Sequence, residues 1–163
     1  MQAVQKQFEI RRATPDDAAT ISALIHEAFV PFETDYTAEA FAYTTPPVDM
    51  IRERFEEGPI WVAVDGDVMV GTVSGLPEHD RFYIRSMAVK PMAQGNGVGQ
   101  KLLATLEEFA RDAGHDTLYL YTTFVLPGAK RLYERNGFYV LRETSPEEWC
   151  NMAGLEMEKK LDQ

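Results

Sequence analysis

A chain of 163 residues has the length of one globular domain, and its 45% of hydrophobic residues exclude a disordered protein. The 16 basic and 26 acidic residues give a formal net charge of −10, which argues against nucleic acid as a partner because that binding needs basic residues to neutralise phosphates. A single cysteine and three scattered histidines lead us to expect no disulfide and no metal site. The chain lacks a run of about 20 apolar residues and a signal-peptide pattern, so we expect a cytoplasmic protein with no membrane partner.

The apolar periodicity predicts strands and helices in a definite order along the chain. In chain order they are a strand at 8–12, a helix over 18–29 that Pro31 ends, a short helix near 38–43, a helix from Met50 that stops at Gly58, strands at 60–64 and 68–73, a strand at 82–89 after a polar segment at 77–80, a helix from Val98 to Gly114, a strand at 117–123, a short helix from Ala129 that ends at Asn136 and Gly137, and strands at 138–142 and 152–160.

This order predicts an α/β fold with a mixed central sheet of about six to seven strands and helices on both faces. The central hairpin is predicted by Asp65 and Gly66 between two β-rich runs, because glycine supplies the positive φ that such turns require. A hairpin at this place excludes a purely parallel, doubly wound sheet.

The strongest functional signal lies where the strand at 82–89 leads into the next helix. Three glycines, Gly95, Gly97 and Gly99, stand at the entrance of that helix, and no Asp or Glu occurs from Arg81 through Leu106. Exposed backbone N–H groups and the positive end of the helix dipole favour an anion such as a pyrophosphate at this place. Two plainer readings stay open: a flexible loop, and a buried strand that excludes carboxylates by itself.

Two common nucleotide motifs do not fit this loop. A P-loop needs Gly-Lys followed by Ser or Thr, whereas here Gln100 follows Gly99 and Leu102 takes the place of the hydroxyl residue. A dinucleotide fingerprint needs its third glycine three residues after the second, whereas these glycines are spaced by two throughout.

At these residues the sequence resembles the GNAT superfamily of acyl-CoA N-acyltransferases. The family signature of Gln or Arg, two residues, Gly, one residue, and Gly or Ala is matched by Gln94, Gly97 and Gly99. A second family element, Leu-Tyr-Glu, two residues, Gly-Phe, is matched over residues 132–138. The resemblance covers roughly residues 7–160 and implies a single N-acetyltransferase domain over residues 1–163.

The resemblance implies that acetyl-CoA is the cosubstrate, lying in a cleft where two central parallel strands splay apart. Its pantetheine arm would bond the strand edge at Met87, Ala88 and Val89. Its pyrophosphate would lie on the backbone of Gln94, Gly95, Asn96, Gly97, Val98, Gly99 and Gln100. Arg85, Lys90 and Lys101 are candidates for charge near the phosphates, or solvated surface residues.

For catalysis, the resemblance implies direct attack of a primary amine on the thioester, with Tyr133 as the general acid that protonates the leaving thiolate. The plainer alternative for Tyr133 is a packed side chain on a short helix. Glu33, Glu78, His79 and Asp80 are candidates for the base that accepts the amine proton, although none has a diagnostic spacing.

The acceptor is expected to be an amine of a small molecule or a peptide, bound by the early helices at Phe32, Glu33 and Tyr36. Leu126 departs from the family pattern, because many relatives carry Asn there against the cofactor arm. A non-catalytic acyl-CoA-binding module of the same fold is the alternative, and an enzyme acting on charged tRNA is disfavoured by the net charge. A homodimer is one candidate assembly.

Overall fold

The computed structural model describes residues 7–126 and 128–161. Within these residues the chain forms seven strands and five α-helices in the order that the sequence predicts. The strands are β1 (Glu9–Arg12), β2 (Ile60–Asp65), β3 (Val68–Glu78), β4 (Arg81–Val89), β5 (Thr117–Thr123), β6 (Tyr139–Thr144) and β7 (Gly154–Lys160). The helices are α1 (Ala18–Phe29), α2 (Ala38–Thr44), α3 (Val48–Arg54), α4 (Val98–Asp112) and α5 (Ala129–Arg135).

The seven strands form one mixed sheet in the order β1-β2-β3-β4-β5-β7-β6. The pairing of β4 with β5 is parallel and that of the other neighbours is antiparallel. The α/β prediction of six to seven strands is therefore confirmed, and the hairpin at Asp65 and Gly66 joins β2 to β3 as expected.

The strand predicted at 68–73 is longer in the structure and includes part of the polar segment at 77–80. Strand β3 continues through it, because Pro77 pairs with Phe82 and Glu78 pairs with Arg81. The turn between β3 and β4 is therefore only two residues long, and His79 in it adopts a left-handed φ of 44°. Backbone pairing with β4 extends β3 beyond the β-rich run at 68–73, despite the polar composition of residues 77–80.

Helices cover both faces of the sheet, as the apolar periodicity predicts. One core cluster joins α4 and α5 to the sheet through side chains such as Leu102, Leu106 and Phe82, each fully buried. A second cluster joins α1, α2 and α3 to the opposite face through side chains such as Ile25 and Val62. A search of the described residues finds no helix with the length and apolarity that crossing a membrane requires.

Candidate active site

The site is built around the place where β4 and β5 separate. These parallel strands pair only at residues 81–83 and 117–119, although β4 runs on to Val89 and β5 to Thr123. The gap beyond the last pair is a cavity of about 390 Å³. Its walls come from residues 83–87 of β4, residues 120–123 of β5, α5, the α1–α3 segment, and the segment between 142 and 154.

A β-bulge in β4 shapes the wall of this cavity. Ser74 of β3 pairs with Arg85 and Thr72 pairs with Ala88, so Ser86 and Met87 together lie opposite a single β3 residue. Ser86 takes a left-handed φ of 55°, which is uncommon for a residue with a side chain. Bulges bend a strand and redirect its groups, and this one turns β4 at the cavity.

The glycine-rich loop leads from β4 into the N-terminus of α4. Gly97 is the N-cap residue of α4 with a φ of 83°, and Gly95 has a φ of 85°. A Cβ atom on either glycine would have no neighbour within 4 Å, so the space beside the loop is open. The first N–H groups of α4 lack partners within the helix, which makes its start suitable for an anion.

Packing holds this loop close to β4 and to α5. The Gln94 side chain donates from Nε2 to the Val89 carbonyl oxygen at 3.2 Å. Gly99 lies against Leu132 of α5, because a Cβ atom at position 99 would approach the Leu132 Cδ2 atom to 3.1 Å. The segment with Gln94, Gly97 and Gly99 therefore contacts both the cavity strand and the helix that carries Tyr133.

The strand residues that were predicted to bind the cofactor adjoin this loop. Met87 lines the cavity, Ala88 is buried against the α1–α3 face, and Val89 accepts the Gln94 hydrogen bond. Of the candidate phosphate cations, Lys90 pairs with Glu27 at 3.7 Å, and Lys101 lies over the Phe8 ring at 5.2 Å. Arg85 instead lines the cavity.

Tyr133 lies on α5 at the cavity, in the position expected for a group that meets a ligand. It is 8% exposed, and its ring packs edge-on against Phe138 with centroids 5.7 Å apart. Burial raises the pKa of the Tyr133 hydroxyl above its ordinary value of 10, so the hydroxyl stays protonated at neutral pH. A protonated hydroxyl at the cavity wall can donate a proton.

The four candidate bases do not line the cavity. Glu78 accepts a hydrogen bond from Tyr119, while His79 and Asp80 form the β3–β4 turn at the end where β4 and β5 are paired. Glu33 is exposed on the short 3-10 segment after α1.

Among the described residues that line the cavity, the carboxylate is Glu148, which the sequence reasoning did not single out. The backbone N–H of Ser145 and then the guanidinium of Arg142 hold the pKa of Glu148 below its ordinary value. This carboxylate therefore stays ionised at neutral pH.

One of the three predicted acceptor residues lines the cavity. Tyr36 does so, and its hydroxyl lies 3.4 Å from the Thr123 hydroxyl. Phe32 packs partly buried against the α1–α3 core, and Glu33 faces solvent. Leu126 also lines the cavity, so the position where the family often has Asn presents an apolar side chain here.

Sequence reasoning missed Arg54, which lies on α3 and lines the cavity with only 5% of its surface exposed. Its guanidinium donates to the Ser86 hydroxyl at 2.6 Å. A signal was available, because Arg54 follows the buried Ile51 by three residues and so shares its helix face. Tyr83 was also missed, and burial raises its pKa to about 12.

Comparisons with curated proteins find N-acetyltransferases. The chain is 34% identical over 115 residues to the probable N-acetyltransferase family 8 member 5 of Mus musculus, covering 66% of this chain and 49% of the relative. It is 29% identical over 153 residues to the streptothricin acetyltransferase of Streptomyces lavendulae, covering 80% of this chain and 81% of the relative. The chain thus spans about half the length of the mouse relative.

Solved structures share the fold at low sequence identity. The ribosomal-protein-S18-alanine N-acetyltransferase of Escherichia coli superposes with a TM-score of 0.78 at 16% identity, with 96% of both chains covered. The PaiA N-acetyltransferase of Thermoplasma acidophilum, solved in complex with coenzyme A, gives 0.77 at 18% identity, with 94% of this chain and 99% of that chain covered. The model of the acetyltransferase (GNAT) family matches residues 21–138. This span runs from α1 through the separated strands and the glycine loop to the end of the motif that contains Tyr133. The chain therefore belongs to the acetyltransferase (GNAT) family.

Proposed function

We propose that the chain is an enzyme that transfers the acetyl group of acetyl-CoA to a primary amine of a small molecule or a peptide, within a ternary complex. One observation carries the proposal: the strand that walls the cavity, β4, leads through a short 3-10 segment at Pro91–Ala93 to the open glycine loop at the start of α4. An elongated ligand with an anionic middle and a reactive end would span from that loop along β4 to the cavity.

The residues present fit acetyl-CoA. The N–H groups from Gln94 to Gln100 and the N-terminus of α4 would hold its pyrophosphate, because Gly95 and Gly97 leave open space there. The edge of β4 at Met87, beyond its last pair with β5, would bond the amide-bearing arm as an added strand. This fit depends on backbone groups, so it holds although position 126 carries Leu where many relatives carry Asn.

Acetyl-CoA supplies an activated thioester, and the chain's own groups assist the transfer. Backbone N–H groups at the bulged end of β4 are suited to polarise the thioester carbonyl. Tyr133, kept protonated by burial, would give its proton to the departing thiolate and regain one, directly or through solvent, from the nitrogen that becomes the amide. Cys150 lies outside the cavity lining and burial raises its pKa, which supports direct attack by the amine over a covalent enzyme intermediate.

A protonated amine needs to lose one proton before attack, and its nitrogen loses a second as the amide forms. Glu148 is the carboxylate at the cavity wall, but its lowered pKa makes it a weak base. We therefore propose that the enzyme uses the fraction of amine that is already neutral in solution, and that kcat/KM rises with pH through the pKa of the amine.

Two measurements test this function. Isothermal titration calorimetry with acetyl-CoA reports binding, and free-thiol release across a panel of amines reports transfer. Binding together with amine-dependent thiol release is the expected result. Saturable binding without turnover on any amine would favour the non-catalytic acyl-CoA-binding module, and no binding heat at all would refute both functions.

The proposal includes a single N-acetyltransferase domain and a place in the cytoplasm. The family model spans most of the chain, and a lone cysteine is in keeping with a reducing compartment. A homodimer stays a prediction that light scattering of the purified protein would check.

A further inference from the structure

The cavity contains a buried positive charge that no carboxylate of the described residues contacts, although Glu57 attracts it from a distance. Arg54 is 5% exposed, and its hydrogen-bond partner is the neutral hydroxyl of Ser86. Among the residues that the structure describes, Arg54 forms no ion pair. Burial, and next the repulsion of Arg85, lower the pKa of Arg54 below its ordinary value. A buried charge is costly unless it is paired, so an anionic partner is expected to come from outside the chain.

The other two arginines that line the cavity already have carboxylate partners. Arg85 donates to both carboxylate oxygens of Glu57, at 2.9 and 3.1 Å. Arg142 donates to Glu148 at 2.8 Å and to Glu156 at 2.9 Å. The unmatched charge is therefore concentrated at Arg54.

Arg85 places a second guanidinium at the cavity, next to the residue that Arg54 bonds, because Arg85 and Ser86 are consecutive in β4. Its Nε atom is buried without a hydrogen-bond partner among the described residues, so that atom is not accessible to a ligand in the cavity. Arg54 bonds Ser86 through Nη1, and its remaining N–H groups suit a carboxylate, which accepts several hydrogen bonds at once.

We infer that the acceptor is a small amino acid whose carboxylate pairs with Arg54, an inference that rests on the proposed acetyl transfer. Ser86 belongs to the same bulge as Met87, where the thioester is proposed to lie. An acceptor with its amine one carbon from its carboxylate would hold that amine beside the bulge when the carboxylate pairs with Arg54. The α-amine of an amino acid meets this condition, whereas the N-terminus of a longer peptide has no carboxylate beside it.

The remaining walls indicate the side chain of this amino acid. Apart from the arginines, the part of the cavity opposite β4 and β5 is largely aromatic, with Phe29, Tyr36, Tyr43 and Trp149. A volume of about 390 Å³ lies at the low end of the roughly 300–1,000 Å³ of small-molecule sites. We therefore expect an apolar or aromatic amino acid. The positive charge at Arg54 is opposite in sign to the net charge of the chain, −10. The net charge taken by itself would favour cationic acceptors.

The test compares acceptors that differ only in the carboxylate. Phenylalanine, phenylalaninamide and phenethylamine, with the leucine and methionine counterparts, are assayed by free-thiol release, and kcat/KM is expressed per concentration of neutral amine. We expect the amino acids to exceed their amides by about tenfold to a hundredfold, as for a charge-assisted pair. In Arg54→Gln and Arg54→Met this preference should fall to about one, while activity on the amides persists.

Arg52→Gln is the matched control, because Arg52 lies on the same helix with an exposed side chain that pairs with Asp49, and it should keep the preference. Persisting activity on the amides shows that the Arg54 variants are folded. A kcat/KM for the amides or the decarboxylated amines that equals or exceeds that of the amino acids would overturn the inference and leave the proposed acetyl transfer intact. Calorimetric binding of acetyl-CoA with no amino acid turned over would also overturn it, whereas no binding of acetyl-CoA would refute the proposed function itself.

Discussion

Replacement of Tyr133 by phenylalanine isolates the proposed proton donor, because it removes one oxygen atom and keeps the ring. The Tyr133 hydroxyl makes no hydrogen bond to another described residue, and its ring contact with Phe138 would remain. The variant should therefore keep its folding stability to within about 0.5 kcal/mol. The loss of a general acid should lower kcat about 100-fold to 1,000-fold, which equals about 3–4 kcal/mol of transition-state stabilisation.

The assay is free-thiol release at saturating acetyl-CoA, with the dissociation constant of acetyl-CoA measured by calorimetry. We expect kcat to fall and the dissociation constant to change less than threefold. Tyr139→Phe is the control, because Tyr139 is an exposed tyrosine of β6 that bonds Glu158 away from the cavity, and its kcat should equal that of the wild type. An unchanged kcat in Tyr133→Phe would refute the assignment of Tyr133 as the acid.

The pH profile gives a second check on Tyr133. Because burial raises its pKa, the hydroxyl remains the proton-donating form beyond the ordinary value of 10. The wild-type kcat/KM should therefore rise with the neutral amine and show no fall below about pH 10 from loss of the acid. A descending limb near pH 8 that disappears in Tyr133→Phe would contradict this reasoning.

Three further substitutions test the glycine loop, an ion pair and the core. Gly97→Ala places a side chain at a φ of 83° in the anion site, so calorimetry should show at least tenfold weaker binding of acetyl-CoA. Gly66→Ala is the control: it introduces similar backbone strain, at a φ of 62° in the β2–β3 hairpin, and should bind acetyl-CoA with the affinity of the wild type. Asp17→Asn removes the carboxylate that accepts two 2.9 Å hydrogen bonds from Arg11. Arg11 lowers the pKa of Asp17 in the folded state, so the ion pair stabilises the fold by about 0.5–1 kcal/mol above pH 3.8 and this contribution is lost as the pH falls further. Urea unfolding should therefore give different stabilities for the variant and the wild type at pH 7, but equal ones at pH 2. Leu106→Ala removes a fully buried side chain and should cost about 3 kcal/mol in urea unfolding, whereas a loss below 1 kcal/mol would contradict tight packing under α4.

The order of elements was predictable because burial imposes a regular spacing on each of them. Leu102, Leu106 and Ala110 recur at helical spacing and all lie in the core. The continuation of β3 through Pro77 and Glu78 was not predictable, since it depends on pairing with a strand that comes later in the chain. A short polar segment with proline has the same composition whether it forms a loop or the end of a paired strand.

The places of the glycine loop and of Tyr133 in the fold were predictable because each belongs to a contiguous motif. The cavity wall on the α1–α3 side was predictable in part, at Tyr36, because the rest is assembled from side chains far apart in the sequence. Arg54 and Ser86 are 32 residues apart and meet only once α3 packs near the bulge in β4. Glu148 lies later still, beyond β6, in a 3-10 segment with no apolar period to place it.

The short pairing of β4 with β5 leaves the sheet as two half-sheets, β1–β4 and β5–β7, joined by three residue pairs. Small changes in the angle between the halves are then less costly than they would be across a fully paired seam. A ligand that bonds the free edge of β4 and packs on β5 would fasten the two halves together. Amide hydrogens at residues 84–89 and 120–123 should accordingly exchange with solvent more slowly when such a ligand is bound, whereas those of the edge strands β1 and β6 should not change.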